Sequence, residues 1–245
     1  QVWTINGDGF YKGVTSYVGG LFEEFDADKV IDKMMNSPKW EQSPYYGMTK
    51  QEIKDLWDAK GKKAADDGTK MHYSIECYYN NEDLSKYEDQ CYLLENDEYK
   101  QFLEFEEDFC NSGMKPYRTE WLVYHEDLKI KGIIDMVYEN EDGTLSIYDW
   151  KRVKNLQKFN KWQSAKEPVN HIPDSNYWHY CLQLNVYKRI LEDKYDKEVK
   201  EMFLVCMYPE KKSYDRVKVV NMPSEIDLLF EERKKYLENV RKRRK

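Results

Sequence analysis

The sequence has little of what builds disulfide frameworks, zinc sites or membrane spans. Its 245 residues include five cysteines, an odd number, and no two of them form a Cys-x-x-Cys pair. A disulfide framework and a cysteine-rich zinc site are therefore not indicated, and reduced thiols in an intracellular compartment are the default expectation. The sequence also lacks a long apolar run and, in its first ten residues, a basic stretch followed by an apolar core. We therefore predict no membrane span and no secretory signal.

The net charge of −7 conceals two halves of opposite sign. Residues 151–245 contain 23 Lys and Arg against 14 Asp and Glu, whereas residues 1–150 contain 16 basic and 32 acidic residues. This asymmetry suggests a polyanion partner for one face, and a solvated acidic helix beside a frayed basic tail is the alternative explanation. The 40% hydrophobic content argues against disorder, and a length of 245 residues suits one large domain or one domain with an added subdomain.

Apolar residues at helical spacing predict a mostly helical first half. Residues 14–36 form the first predicted helical stretch. Thr49 begins a capping-box pattern that opens a second helix, which we expect to end at Gly61 before another begins at Gly68. Residues 84–112 are predicted to form an acidic helix. Its inward-facing anchors are expected to be Tyr92, Phe102, Phe105 and Phe109.

From Tyr117 onward the hydrophobic period changes to two, the spacing of β-strands. The predicted strands cover residues 119–124, 129–139, 144–151, 201–208 and 214–221. One helix is predicted over residues 175–195, and Pro223 opens a final helix. The order of these elements predicts an α/β or α+β fold with a mixed central sheet, flanked by helices and preceded by an N-terminal helical region.

An Asp-Gly pair at residues 142–143, between two alternating apolar runs, is a strong hairpin signal. The hairpin brings Asp135 and Asp149 to within about one residue pair across the ladder, where neighbouring Cβ atoms lie roughly 5 Å apart. Alternation places Asp149 and Lys151 on one face and Trp150 on the other. Two carboxylates and an ammonium therefore converge on one side of the hairpin.

Two adjacent carboxylates repel each other unless a cation or a proton lies between them. Hard oxygen ligands, with room for water and phosphate oxygens, suit Mg²⁺ or Mn²⁺. A nearby Lys151 can offset negative charge in a phosphoryl transition state, so a metal-dependent site for phosphodiester hydrolysis is one interpretation. The alternative is a structural Asp–Lys pair on a solvent-facing strand, since such surface ion pairs are common and weak.

The motifs Gly-x-x-Asp at residues 132–135 and Asp-x-Lys at residues 149–151 resemble those of the PD-(D/E)XK nuclease superfamily, in particular its RecB-like exonuclease branch. The resemblance implies a restriction-endonuclease-like core that binds one or two Mg²⁺ or Mn²⁺ ions, with Lys151 positioning the attacking water. The metal ligands it implies are Asp135, Asp149 and the carbonyl of Trp150. The sequence departs from the pattern at Ile134, where the name of the superfamily places proline.

Two further motifs follow in the order of that branch. Gln183 and Tyr187 resemble its Gln-x-x-x-Tyr helix motif, and positions i and i+4 share a helix face, so both side chains can reach the cleft. Upstream, Gly68 and His72 resemble its Gly-x-x-x-His motif, whose histidine is a metal ligand, and a core or surface histidine is the alternative. In some relatives a glutamate at the position of Glu120 belongs to the metal site or to the residues around it. The alternative is a solvent-facing carboxylate.

The resemblance covers roughly residues 60–210, and residues 25–28 and 46–49 are also similar to nuclease-like proteins of large DNA viruses. Some RecB-like nucleases carry an iron–sulfur cluster. We expect none here, because Cys206 is the only cysteine downstream of the Gln-x-x-x-Tyr helix. The expected organisation is one compact domain with three parts. These are an N-terminal helical region at 1–112, the nuclease core at 113–222, and a C-terminal helix with a basic tail at 223–245.

Basic residues with interleaved aromatic residues follow the Asp-x-Lys motif. Lysine and arginine contact phosphates, and an exposed aromatic ring can stack on an unpaired base. We therefore predict a nucleic-acid-binding surface. Its residues are Arg152, Lys154, Lys158, Lys161 and Trp162. A solvated loop with two buried aromatic anchors is the alternative.

These motifs, with the resemblance, imply a metal-dependent nuclease. The favoured substrate is DNA with single-stranded character, cut by an exonuclease at strand ends or flaps. Within the superfamily, the alternative is a structure- or sequence-specific endonuclease acting on DNA or RNA. Outside it, the alternatives are a non-catalytic nucleic-acid-binding module on a nuclease fold and a scaffold with an accidental Asp-x-Lys. We expect an intracellular protein, cytoplasmic or nuclear, with no membrane partner.

Overall fold

A mixed six-stranded sheet forms the centre of the computed structural model, which describes residue 5 and residues 10–86, 96–109 and 113–243. The strands are β1 (Lys12–Gly13), β2 (Lys115–His125), β3 (Ile130–Glu139), β4 (Leu145–Arg152), β5 (Val199–Met207) and β6 (Asp215–Lys218). The α-helices in these ranges are α1 (Val14–Gly19), α2 (Ala27–Met35), α3 (Lys50–Tyr79), α4 (Asp97–Phe109), α5 (Asn176–Lys194) and α6 (Pro223–Arg243). Short 3₁₀ turns cover Trp40–Gln42 and Leu84–Lys86. None of the helices in these ranges is long and apolar enough to cross a bilayer.

The sheet combines antiparallel and parallel pairing. Strand β3 pairs antiparallel with β2 along one edge and with β4 along the other, and the short β1 runs parallel to its start. Strand β4 pairs parallel with β5, which pairs antiparallel with β6. The predicted α/β class with a mixed central sheet flanked by helices is confirmed.

The hairpin of β3 and β4 sets the register on which the site depends. Its turn contains Gly143 at φ +80°, a left-handed conformation that favours glycine, and the Asn140 amide donates to the Thr144 carbonyl at 2.8 Å. Beyond the turn, Met136 pairs with Tyr148 across the ladder. Asp135 and Asp149 lie next to this pair on their strands, on the side away from the turn.

The two faces of the sheet pack against different helices. One hydrophobic cluster joins β4 residues such as Ile147 to α1, α5 and α6. The other joins Tyr148 and Trp150 to α3 and α4, including Phe102 and Phe105. Because side chains alternate along β4, Asp149 and Lys151 belong to the first face and Trp150 and Arg152 to the second.

The prediction that Gly61 ends a helix and Gly68 begins another is wrong, since α3 runs unbroken from Lys50 to Tyr79. The capping box at its start is formed, and the Thr49 side chain accepts from the Glu52 amide at 3.2 Å. Glycine inside a helix costs only about 1 kcal/mol relative to alanine. The burial of Met71 and Ile75 in the second half of α3 offsets that cost.

Two other predicted helices have different bounds in the structure. The stretch 14–36 is divided into α1 and α2 because Asp26 caps a new start, its side chain accepting from the Lys29 amide at 3.0 Å. The predicted helix over 84–112 is present as α4, while Leu84–Lys86 forms a 3₁₀ turn. Tyr92 lies outside the described residues. The anchors Phe102 and Phe105 are buried, and Phe109 packs against them.

Candidate metal centre and active site

Strands β2 and β3 become irregular where the candidate site begins. Glu120 lies between the pairs Thr119–Met136 and Trp121–Ile134, and its backbone has φ +44°. Residues other than glycine adopt this left-handed region rarely, and such strain is concentrated at functional sites. The register places this strained residue opposite Asp135.

Three side chains from three elements converge at this point. His72 comes from α3, Glu120 from β2 and Asp135 from β3, and their ligand atoms all lie within 4.8 Å of one another. His72 Nδ1 is 3.5 Å from Asp135 Oδ2 and 4.0 Å from Glu120 Oε1. Two carboxylates and one imidazole form a donor set that fits a divalent cation such as Mg²⁺ or Mn²⁺.

Excess negative charge marks this cluster. Burial, followed by the carboxylates of Asp135 and Glu76, raises the pKa of Glu120 to about 8. A carboxyl group that holds its proton so tightly lies where a further negative charge is unfavourable. A bound cation would relieve that repulsion, so the electrostatics of the cluster agree with its donor set.

Asp149 and Lys151 form a buried ion pair beside the cluster, with Lys151 Nζ 2.6 Å from Asp149 Oδ2. The two aspartates are linked through the backbone, because the Trp150 amide donates to Asp135 Oδ2 at 2.9 Å. Burial raises the pKa of Asp149, which the Lys151 ammonium opposes and the Asp135 carboxylate reinforces.

The Lys151 side chain is held in its charged form. Burial alone would lower the pKa of Lys151, but the Asp149 and Asp135 carboxylates outweigh it and keep that pKa above its ordinary value. The ammonium also lies 5.0 Å from the centre of the Tyr180 ring, within the range of a cation–π contact. Lys151 is therefore suited to act as a positive charge beside the cluster.

Helix α5 brings Gln183 and Tyr187 to the same place. Gln183 Nε2 donates to the Tyr187 hydroxyl at 3.4 Å, and both residues line a cleft that also includes Asp135 and Lys151. Gly132 of β3 is required for this close packing. A Cβ atom there would lie 2.6 Å from Tyr187 Cε1, much closer than carbon atoms approach.

The loop after β4 carries most of the predicted nucleic-acid-binding residues. Phe159 and Trp162 are 85% and 90% exposed, so neither is the buried anchor of the alternative interpretation. The Trp162 amide donates to Asn160 Oδ1 at 2.9 Å, which orders the backbone below this ring. Lys154, Lys158 and Lys161 are exposed as well.

The structure does not bring Arg152 to this surface. Its guanidinium Nε lies 2.7 Å from Glu98 Oε1 and its Nη2 lies 3.2 Å from Asp67 Oδ2. The reason is strand alternation, which turns Arg152 toward α3 and α4 on the face opposite Lys151. Arg152 therefore links three elements inside the fold.

Several cleft residues were missed by sequence reasoning. The same cleft is lined by Thr15 of α1, Leu122 of β2 and Ile133 of β3. No motif marks them, because exposed aliphatic residues in strands look like ordinary members of an alternating pattern. Only the register of β2 with β3, which pairs Leu122 with Ile133, brings them beside Asp135.

Comparisons with known proteins place this geometry in a family. Among solved structures, the chain is similar to the one described as the crystal structure of SSO0001, with 16% sequence identity and a TM-score of 0.29. That match covers 55% of this chain and 56% of the other, so it spans little more than half of that protein. The comparison with curated proteins gives no match. Residues 46–244, which contain every side chain of the candidate metal cluster, match the PD-(D/E)XK nuclease superfamily. The chain belongs to the PD-(D/E)XK nuclease superfamily.

Proposed function

We propose that this protein is a metal-dependent nuclease of the RecB-like branch, which removes nucleotides from DNA ends or flaps with single-stranded character. The observation that carries the proposal is the cluster of His72, Glu120 and Asp135 beside the buried Asp149–Lys151 pair. Membership of a nuclease superfamily gives the reaction, hydrolysis of a phosphodiester bond. We propose that this reaction occurs at the cluster, whose donor set fits a divalent cation.

The proposed ligands of one or two Mg²⁺ or Mn²⁺ ions come from both strands of the hairpin, from β2 and from α3. They are His72, Asp135, Asp149, the carbonyl of Trp150 and Glu120. A divalent cation held there would supply positive charge to the scissile phosphate. The other proposed site residues would position the substrate and the attacking water and would offset negative charge on the phosphate.

Lys151 is proposed to stabilise the negative charge that develops on the phosphate and to orient the attacking water. Its fixed ammonium suits that role, because charge stabilisation by preorganised groups needs no movement at the moment of reaction. Asp149 holds the ammonium in place at 2.6 Å. Gln183 and Tyr187, on the cleft wall, are proposed to align the bound strand.

The substrate preference rests on the loop after β4. Two exposed aromatic rings, Phe159 and Trp162, stand among exposed lysines, an arrangement that favours unpaired nucleic acid. The alternative within the superfamily is an endonuclease for DNA or RNA. A non-catalytic binding module is disfavoured, because the acidic pair and Lys151 are all present.

Three further parts of the proposal concern context. We propose an intracellular location, cytoplasmic or nuclear. We propose a relationship to nucleases of large DNA viruses. We also propose the division into an N-terminal helical region, a nuclease core from residue 113 to 222, and a C-terminal helix with a basic tail.

A cleavage assay tests the proposal. Labelled single-stranded and double-stranded DNA and RNA are incubated with Mg²⁺, Mn²⁺ or EDTA, and the products are separated by size. We expect mononucleotides or short products from single-stranded DNA with either metal and none with EDTA. The matched control is Asp149→Asn, which should be inactive. Intact substrates in every lane with wild-type protein would contradict the nuclease function, and internal cuts in circular DNA would favour the endonuclease alternative.

A further inference from the structure

The cleft beside the candidate metal centre has two chemically different parts. It has a volume of about 550 Å³, within the range typical of small-molecule sites. Charged groups come from Glu120, Asp135 and Lys151 at one end and from Lys131 beyond Ile133, while Leu122 and Ile133 supply aliphatic groups between them. Neither the metal cluster nor the alignment of a phosphate backbone uses the aliphatic part.

Leu122 and Ile133 form a continuous apolar wall. They are direct partners across the β2–β3 ladder, where neighbouring side chains lie roughly 5 Å apart. They are 43% and 42% exposed, so a large share of each aliphatic side chain faces the cleft opening instead of the core. A cleft lined by apolar side chains together with a few charged groups is typical of ligand-binding sites.

The spacing along β3 relates this wall to the charged end. Ile133 and Asp135 are two residues apart on the strand, a separation of about 7 Å, and both line the cleft. A nucleotide presents the same order of chemistry over a similar length, with a charged phosphate at one end and a flat, largely apolar base beyond the sugar. The charged end of the cleft suits the phosphate, and the wall suits the base.

We propose that this cleft binds the base and sugar of the nucleotide joined to the scissile phosphate, with Leu122 and Ile133 contacting the face of the base. The inference rests on the proposed nuclease function and narrows its substrate to nucleotides that are unpaired when they are cut. A base within a duplex is stacked on both faces, and extruding it costs free energy, so strand ends, flaps and single strands are favoured.

Abasic substrates test this proposal. Single-stranded oligonucleotides are prepared with a tetrahydrofuran residue in place of the first, the last or every nucleoside, and kcat/KM is compared with the intact strand. For the wild-type protein we expect abasic strands to be cut about tenfold less efficiently, the size expected from losing a few tens of Å² of apolar contact. Leu122→Ser should lower kcat/KM for the intact strand by a similar factor and leave the abasic strand unchanged.

Two further variants keep the test sharp. Leu228→Ser alters a similarly exposed leucine on α6, at 45% exposure, and should leave kcat/KM unchanged for both the intact and the abasic strand. Ile133→Thr repeats the test from the other strand and keeps a β-branched residue there. A folding defect in one variant therefore does not decide the result. Equal cutting of intact and abasic strands by the wild type would overturn the proposal, as would a Leu122→Ser variant that loses activity equally on both. Absence of cleavage on every substrate would instead overturn the nuclease function itself, and the cleft proposal with it.

Discussion

Strand β4 sends alternate side chains into two different environments. On one face, Asp149 and Lys151 lie beside Asp135, and this group contains more carboxylates than cations. On the other face, Trp150 packs at 5.6 Å and 5.3 Å between ring centres against Phe102 and Phe105 of α4. Arg152 follows it on that face.

The two faces also differ in how their charges are matched. Arg152 is neutralised by two carboxylates, Asp67 on α3 and Glu98 on α4, so the packed face ties the helices to the strand. On the site face, burial and then the Asp135 and Glu76 carboxylates raise the pKa of Glu120, so the charges there are not matched in this way. One set of β4 residues thus ties the helices to the sheet, and the other set belongs to the proposed active site. Substitutions on the two faces should therefore affect different properties, stability on one and activity on the other.

The largest expected effect is on the site face. Asp149→Asn should lower the cleavage rate by at least about 10³-fold, since it removes the carboxylate that holds Lys151 in a preorganised site. The melting temperature should change little, because the amide keeps the shape of the side chain and Asp135 still lies near the ammonium. Single-turnover cleavage and thermal unfolding measure the two quantities. Near-normal turnover in this variant would remove Asp149 from the chemistry.

The packed face should show the opposite pattern. Arg152→Met should lower the free energy of unfolding by about 3 kcal/mol, because it leaves Glu98 without its cation, while Asp67 keeps Lys63 at 3.2 Å. Lys154→Met alters an exposed neighbouring residue and is the control, which should change the free energy of unfolding little. Urea denaturation measures both. The double variant Arg152→Met/Glu98→Met should recover much of the loss, and equal stability of wild type and Arg152→Met would contradict the structural role.

Part of this contrast could be predicted from the sequence. Alternation and the Asp-Gly turn are local properties, and they suffice to bring Asp135 near the Asp-x-Lys strand, where it accepts from the Trp150 amide, and to separate Trp150 from Lys151. The helical spacing of Gln183 and Tyr187 is equally local, so their shared cleft wall follows from the helix alone. The fold class, helices with a mixed central sheet, follows from the order of such local elements.

Other parts depend on distant contacts and could not be predicted. The resemblance suggested Glu120 as a metal-site residue, but its place beside Asp135 requires the register of β2 with β3 and a left-handed backbone that local patterns do not indicate. The continuity of α3 through Gly61 and Gly68 depends on packing farther along the helix, which outweighs the local preference of glycine. The partners of Arg152 lie on helices far from it in the sequence, so no local pattern indicates them. The basic and aromatic residues that follow the Asp-x-Lys motif suggested a phosphate contact instead.

A smaller effect should separate the ligands within the metal cluster. His72→Ala should weaken Mn²⁺ binding by about tenfold, less than the loss of Asp135, because a neutral imidazole contributes less attraction than a carboxylate. His171→Ala is the matched control, since that histidine is exposed and contacts Glu225 at 3.2 Å. Isothermal titration with Mn²⁺ measures both affinities. Equal affinity of His72→Ala and wild type would exclude this histidine from the cluster.

The smallest effect concerns the surface that recruits substrate. Reversing charge at Lys158 and Lys161 should reduce the slope of log K against log salt by about 1.4 to 1.8, if each lysine contacts one phosphate. Single-turnover cleavage at saturating DNA should stay close to wild type, because the loop does no chemistry. Charge reversal at Lys234 and Lys235 of α6 is the matched comparison, as both are exposed. A slope that changes only in the α6 variant would move the DNA path to that helix.

The most direct test of the account is Mn²⁺ binding to the Asp135→Asn variant, measured by isothermal titration with Asp66→Asn as control. Asp135 lies in the cluster with His72 and Glu120, whereas Asp66 is an exposed carboxylate of α3. We predict that Asp135→Asn loses most of its Mn²⁺ affinity while Asp66→Asn binds as the wild type does. Unchanged affinity in Asp135→Asn would contradict a metal centre at this hairpin.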